Sequence, residues 1–91
     1  MISVGDLVMV DPKFFHVNKR KYLGLRPSPS ILVHDDRSPG LADPKDIMLV
    51  LKVEETQPTR YGTTLSFHDV QVLHPKGFTG WLFEPNLVTV R

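Results

Sequence analysis

The sequence FTGWLFEPNLVTV, residues 78–90, decides the fold of this chain. Its apolar residues predict a strand over residues 78–83 and a closing strand over residues 87–90. Pro85 lacks an N–H and has a fixed φ, so Glu84-Pro85-Asn86 is predicted to interrupt the ladder as one turn of 3₁₀ helix. Leu82, which lies just before this turn, is then a core residue.

Three further strands are predicted upstream of this stretch. The apolar run over residues 7–10 forms the first, because Pro12 restricts Asp11 and ends the strand there. Residues 46–54 alternate with a period of two, which is typical of a strand. One face of it carries Ile47, Leu49, Leu51 and Val53, and the other carries Met48, Val50, Lys52 and Glu54. Residues 63–74 form the third, and Pro75-Lys76-Gly77 is a tight turn.

The strand over residues 63–74 contains a slip in its alternation. Leu65 and Phe67 share one face, whereas Val70 and Val72 have the opposite parity. One extra residue near His68-Asp69, as in a β-bulge, would correct the slip. The prediction is a ladder broken between Phe67 and Val70, with four residues pointing into the core: Leu65, Phe67, Val70 and Val72.

Residues 11–45 form a long first connection between strands. They contain five of the eight prolines and two of the six glycines, and no helical or alternating pattern persists. Long connections without structure are uncommon in compact domains, and apolar residues are available to hold this one in place. We expect an ordered loop with a short strand over residues 31–33. The apolar residues are Phe14, Phe15, Tyr22, Leu23, Leu25, Ile31, Leu32 and Val33.

Length and composition limit the classes of protein that fit. A chain of 91 residues is one domain with one modest core, residues 1–91. Its net charge of +1 argues against a general binder of polyanions. Without cysteine there is no disulfide, no thiolate nucleophile and no thiolate metal site, which fits a reducing compartment. No apolar run approaches a membrane span, and no signal peptide is expected.

Five short strands with a long first connection, and a one-turn break before the last strand, match the order of the Src-homology-3-like β-barrel. Residues 4–10, VGDLVMV, resemble the opening strand of many small bacterial and phage barrels. Residues 80–88, GWLFEPNLV, are similar to the segment that runs through the 3₁₀ turn of those barrels, with a one-residue difference in spacing. The chain as a whole resembles the small barrel proteins of tailed bacteriophages. The expected fold is therefore an all-β, five-stranded Src-homology-3-like barrel.

The resemblance implies a location and a class of function. Where the sequence departs from the signalling domains of this fold, it no longer implies that the chain binds proline-rich peptides. A phage accessory protein would be a virion component or a binder of a host protein, located in the virion or the host cytoplasm. Eukaryotic signalling domains of this fold bind proline-rich peptides through tyrosines of the first strand, and residues 7–12 contain none. Their acidic first loop is basic here, and the glycine-rich centre of KOW-type barrels is missing, so proline-peptide binding is not implied.

A basic and aromatic segment at the start of the first connection is the main candidate for an interface. Three interpretations stay open: a solvated loop with its rings docked on the core, a protein interface, or a single-stranded nucleic-acid site that combines phosphate contacts with stacking. We expect a non-enzymatic protein–protein interaction module, with nucleic-acid binding as the alternative. The candidate residues are Lys13, Phe14, Lys19, Arg20, Lys21, Tyr22 and Arg26.

Trp81 and Phe83 are the second choice for an interface. They lie on the strand face opposite Phe78 and Leu82. If Phe78 and Leu82 fill the barrel, the two rings are either covered by the first connection or form an exposed aromatic patch that a partner buries. The partner is a host protein or a virion component, with self-association into a homo-oligomer left open and no membrane expected.

The acidic residues and histidines give no recognised catalytic or metal motif. Asp35, Asp36, Asp43 and Asp46 match no cation loop by spacing, and an ion pair with the basic segment is the favoured role for them. The four histidines also lack metal-ligand spacing. His68 beside Asp69 is the best pair for acid–base chemistry, although a surface role is commoner. No catalytic residue, metal or cofactor is expected.

Overall fold

The computed structural model describes residues 2–28, 38–55 and 68–90. Within them the chain forms seven strands, one α-helix and one 3₁₀ turn. The strands are β1 (Leu7–Val10), β2 (Leu23–Gly24), β3 (Leu41–Ala42), β4 (Met48–Glu55), β5 (His68–Leu73), β6 (Thr79–Phe83) and β7 (Leu87–Thr89). The helix α1 spans Pro12–Asn18, and the 3₁₀ turn spans Glu84–Asn86.

The strands form an antiparallel, largely all-β arrangement. Five of them make one sheet in the order β6-β5-β4-β1-β7, and β2 pairs with β3 in a second, two-stranded sheet. The strand predicted over residues 7–10 is confirmed, as are the 3₁₀ turn and the strands on either side of it. The strand predicted over residues 31–33 lies outside the described residues.

The helix α1 was not expected from the sequence. Asp11 caps it by accepting a hydrogen bond from the Lys13 N–H at 2.9 Å, and Pro12 occupies the first turn. The helix ends at Lys19, which has a left-handed backbone with φ of 52°. Asp-Pro therefore ends β1 and starts a helix at the same point. Among the described residues no helix is long and apolar enough to cross a membrane.

The core lies on the inner face of the five-stranded sheet. Leu82 is only 2% exposed, which confirms its place in the core. Phe15 of α1 is buried there, and Phe14 packs against the core with its ring edge-to-face on Phe15. The buried cluster is Ile2, Val8, Val10, Phe15, Leu25, Ala42, Met48, Val50, Val70, Val72, Leu82 and Leu87.

β4 contains one extra residue that was not expected from the sequence. The pairing of β4 with β5 passes from Val50–Val72 to Lys52–Gln71, so Leu51 is the additional residue. From Asp69 to Leu73, β5 pairs with β6 without a shift. The bulge predicted near His68-Asp69 is therefore wrong for residues 68–73, while the burial of Val70 and Val72 is confirmed. Leu65 and Phe67 lie outside the described residues.

The shift on β4 also decides which of its side chains reach the core. Met48 and Val50 are buried before the extra residue, and Val53 packs against the core after it. Leu49 and Leu51 point away from the core and are exposed. A single change of parity therefore lets one strand contribute to the core along its length.

Candidate functional site

The helix α1 and the turn that follows it expose four cations and one aromatic ring. We call this group, Lys13, Lys19, Arg20, Lys21 and Tyr22, the basic surface; every member is exposed. The left-handed Lys19 ends the helix, and the Arg20 N–H donates to the Phe15 carbonyl oxygen at 3.1 Å. This backbone bond reverses the chain, so the three consecutive cations follow the last helical turn directly.

The four cations of the basic surface have no acidic partner within the described part of the chain. Asp46, one of the acids expected to pair with them, binds His74 instead, and Asp43 forms no ion pair with any described residue. Asp35 and Asp36 lie outside the described residues. The expected exposure of Arg20 and Lys21 is confirmed.

The aromatic residues of the predicted interface are divided between the core and the surface. Phe15 is buried and Phe14 is half-buried against the core, whereas Tyr22 is 50% exposed. Val17, one helical turn after Lys13, is also exposed. The surface therefore offers one ring and one aliphatic side chain among its cations, rather than a row of rings.

Arg26 has a different role from the other predicted interface residues. Its guanidinium forms an ion pair with the Asp69 carboxylate of β5, and its side chain is half-buried. The Asp69 side chain is only 1% exposed, so it depends on such a partner. The Arg26 side chain thereby ties the first connection to the sheet and does not extend the basic surface.

Trp81 and Phe83 do not form an exposed aromatic patch. Trp81 is 7% exposed and Phe83 is half-buried. The Arg26 N–H donates to the Trp81 carbonyl at 2.9 Å, and the Trp81 N–H donates back to Arg26 at 2.8 Å. The first connection thus pairs with the outer edge of β6. A Cβ on Gly80 would lie 2.5 Å from Leu25, so only glycine allows this close approach.

The buried His74 and the carboxylate of Asp46 form a pair that joins two turns and that no sequence motif predicted. His74 is 2% exposed, and its Nε2 lies 2.6 Å from Asp46 Oδ2. Its Nδ1 accepts the Lys76 N–H at 3.1 Å, so Nε2 carries the proton that is donated to Asp46. The ring also stacks on Phe78 at a centroid distance of 4.3 Å. The pair links the turn before β4 to the turn before β6.

The environment of Asp46 favours its charged form. Partial burial acts to raise the pKa of this carboxyl. The Asp43 N–H, the His74 imidazole and the Lys76 ammonium outweigh that effect, so the pKa lies below its ordinary value of 3.8. Since both ring nitrogens of His74 are bonded and the ring is buried, the pair holds the fold together and offers no free base to a substrate.

His68 and Asp69 do not act as a pair. Successive strand residues point to opposite faces of a sheet, and the two side chains have different partners. His68 Nδ1 lies 3.8 Å from Glu84 Oε1, whereas Asp69 binds Arg26. Across residues 2–28, 38–55 and 68–90, no three His, Asp or Glu side chains form a group that could hold a metal ion.

Comparison with known proteins finds no relative of this chain. No protein-family model, no curated protein and no solved structure matches the chain. Function is therefore inferred from the geometry of the described residues. Of the candidate groups, the basic surface is the one whose charges and side chains face outward.

Proposed function

We propose that this chain is a non-enzymatic protein-interaction module that binds an acidic protein segment through its basic surface. The observation that carries the proposal is the set of four exposed cations without an acidic partner in the described part of the chain. Clustered exposed cations attract a partner of opposite charge and steer its approach. Arg20 also suits carboxylates because its guanidinium can bind both oxygens at once.

The partner segment combines acidic side chains with at least one apolar anchor. Val17 and Tyr22 stand exposed among the cations and supply apolar contact area. Aromatic and arginine side chains contribute most of the binding energy at many protein interfaces. An acidic segment with a leucine or an aromatic residue fits this surface better than a uniformly charged one.

A Src-homology-3-like barrel is the fold we propose for the module. The strand order β6-β5-β4-β1-β7, the 3₁₀ turn between β6 and β7, and the long connection after β1 support it. The two stretches that resemble phage barrels, residues 4–10 and 80–88, contribute β1 and the β6–β7 corner. With this fold the proposed partner is a host protein or a virion component of a tailed phage.

Nucleic-acid binding is the weaker alternative on this surface. Single-strand binders stack successive bases on aromatic side chains beside a basic groove. Here Phe14 and Phe15 are turned toward the core, and Tyr22 remains as the one exposed ring of the three. The surface therefore provides the charge of a nucleic-acid site without its stacking platform.

Fluorescence anisotropy with two probes of equal net charge tests the proposal. One probe is a short labelled peptide of Glu, Leu and Trp, and the other is a labelled single-stranded oligonucleotide. We expect the peptide to bind more tightly, and added salt to weaken its binding because the contact is electrostatic. Tighter binding of the oligonucleotide would contradict the proposal and support the alternative.

A charge-matched pair of variants locates the binding surface. Arg20→Ser with Lys21→Ser removes two charges from the basic surface, and Lys45→Ser with Lys76→Ser removes two from other exposed turns. The first variant should weaken peptide binding about tenfold or more, and the second should change it little. Equal losses would mean that net charge alone drives binding, and the proposed surface would be wrong.

A further inference from the structure

A pocket of about 380 Å³ lies at the corner where the 3₁₀ turn meets β7. This volume is at the lower end of the range of roughly 300–1,000 Å³ that is usual for ligand sites. The walls are mainly apolar, and Glu84 is the one charged side chain among the lining residues. We call this group the β7 corner: Ile2, Glu84, Pro85, Leu87, Val88 and Thr89.

The carboxylate of Glu84 is only partly satisfied by the chain itself. Its Oε1 lies 3.8 Å from His68 Nδ1, which is beyond hydrogen-bond distance. Its Oε2 is buried and has no hydrogen-bond partner in the described part of the chain. A buried polar atom without a donor costs free energy, and most such atoms in folded proteins have a partner. The β7 corner therefore contains an acceptor that a ligand with N–H donors would satisfy.

The strand β7 has one free edge among the described strands. It is last in the order β6-β5-β4-β1-β7 and pairs with β1 alone. The Val90 N–H donates to the Leu7 carbonyl oxygen at 2.8 Å. Because such bonds alternate along an antiparallel ladder, the backbone groups of Leu87 and Thr89 point away from β1. The Leu87 N–H donates to the Glu84 carbonyl oxygen, which leaves three outward groups: the Leu87 C=O and the Thr89 N–H and C=O.

We propose that the β7 corner binds an extended, arginine-containing segment of a partner protein. The segment adds a strand to the free edge of β7, and its guanidinium binds the Glu84 carboxylate in the pocket. Strand addition takes its affinity from backbone hydrogen bonds and its specificity from pockets for side chains. The three outward backbone groups supply the hydrogen bonds, and the pocket beside them receives the side chain.

Arginine is the side chain that fits this pocket best. Its guanidinium holds several N–H donors in a planar fork and can bind both oxygens of one carboxylate. Its methylene stem can lie along the apolar walls formed by Ile2, Pro85 and Leu87. An acidic side chain would be repelled by Glu84. The β7 corner therefore selects the charge opposite to the one that the basic surface selects.

The β7 corner lies beside the start of α1. The Asp11 N–H donates to the Asn86 carbonyl oxygen of the 3₁₀ turn at 2.8 Å, and Asp11 also caps α1. Lys13 of the basic surface follows two residues later. One partner can therefore present an acidic segment to the basic surface and an arginine to the β7 corner. This last step rests on the proposed function, whereas the binding of an arginine segment at the β7 corner does not.

Fluorescence anisotropy with short labelled peptides tests the pocket. One probe is Thr-Val-Arg-Val-Thr with blocked ends, and the matched probe has Glu in place of Arg. We expect the Arg peptide to bind about tenfold more tightly than the Glu peptide. Glu84→Gln keeps the size of the side chain and should weaken binding of the Arg peptide about tenfold. Glu54→Gln is the matched control, because it removes the same charge on β4, and it should bind like the wild type.

Methylation of the peptide nitrogens tests the strand addition without changing the protein. The N–H groups of an added strand point alternately toward β7 and away from it. One Arg peptide is methylated at both valine nitrogens, and a second is methylated at the arginine and threonine nitrogens. We expect one of the two to lose binding and the other to keep it. Equal binding of both, or binding of N-acetylarginine amide as tight as that of the peptide, would show that no strand is added.

The remaining outcomes separate this site from the alternatives. Equal binding of the Arg and Glu peptides, or Arg-peptide binding that Glu84→Gln leaves intact, would overturn the proposal. So would a mass above 10.3 kDa without peptide that Glu84→Gln restores to 10.3 kDa, because a second copy would then be the occupant. Thermal melts establish that each variant is folded. Arg20→Ser with Lys21→Ser should leave Arg-peptide binding unchanged, so failure of the proposed function is distinguishable from failure of this one.

Discussion

The long connection between β1 and β4 contains two regions that use polar groups differently. The first region is residues 12–22, and the second is residues 23–26 together with residues 38–46. In the first region, four cations are exposed and lack an acidic partner in the described part of the chain. In the second, Arg26 binds Asp69, Asp46 binds His74, and Ser38 donates to the Leu25 carbonyl oxygen at 2.8 Å. A charge bound within the chain contributes to folding, and a charge left outside is available for binding.

The largest expected effect belongs to the second region. Arg26→Ala leaves the Asp69 carboxylate, 1% exposed, without this ion pair. Removing one partner of a buried pair typically costs about 3–5 kcal/mol, so the free energy of unfolding should fall by that order. Urea denaturation measures it, and Arg26→Lys, which keeps the positive charge, should lose less. An unchanged unfolding midpoint for Arg26→Ala would show that the pair contributes nothing to the fold.

Truncation of a core side chain gives a reference value for the loss of unfolding free energy expected from Arg26→Ala. Leu82 is 2% exposed and packs in the buried cluster of the sheet. Leu82→Ala should reduce the free energy of unfolding by about 2–5 kcal/mol, through lost apolar burial and the cavity that remains. A domain of this size has about 5–10 kcal/mol in total, so the melting temperature should drop sharply. A melting temperature equal to that of the wild type would place Leu82 outside the core.

The pair of Asp46 and His74 should make the free energy of unfolding depend on pH in the acidic range. The pKa of Asp46 is lowered in the folded chain, so its contribution is present above the ordinary value of 3.8 and is lost as the pH falls below it. Asp46→Asn should lower the free energy of unfolding by about 1–3 kcal/mol at neutral pH. The variant should also lose less stability than the wild type between pH 5 and pH 2, followed by circular dichroism. Parallel acid unfolding of the two proteins would contradict this role.

The contrast between the regions also explains which features could be predicted from the sequence: features set by neighbouring residues could be, and contacts between distant residues could not. Local signals predict β1, the 3₁₀ turn and the burial of Leu82, because alternation and proline act over a few residues. The same local signal is ambiguous at Asp11-Pro12, which ends a strand and also caps a helix. The partners of Arg26 and Asp46 are 43 and 28 residues away, and no periodicity connects them. The exposure of Arg20 and Lys21 was predictable because charge clusters usually face water.

The smallest expected effect on stability belongs to the first region. Arg20→Ser with Lys21→Ser should change the free energy of unfolding by no more than about 0.5 kcal/mol, as exposed substitutions usually do. Urea denaturation of this double variant and of Arg26→Ala compares the free energy of unfolding that the two regions contribute. A loss as large as that of Arg26→Ala would mean that the basic surface serves the fold, and its role in binding would be unsupported.

The most direct test of the central claim is an NMR titration of the isotope-labelled chain with the Glu, Leu and Trp peptide. Backbone amides report where the peptide binds, residue by residue. We expect shifts concentrated in α1 and the following turn, from Lys13 to Tyr22, which weaken as salt is added. Shifts confined to Thr79–Phe83, with Lys13 to Tyr22 unaffected, would contradict it.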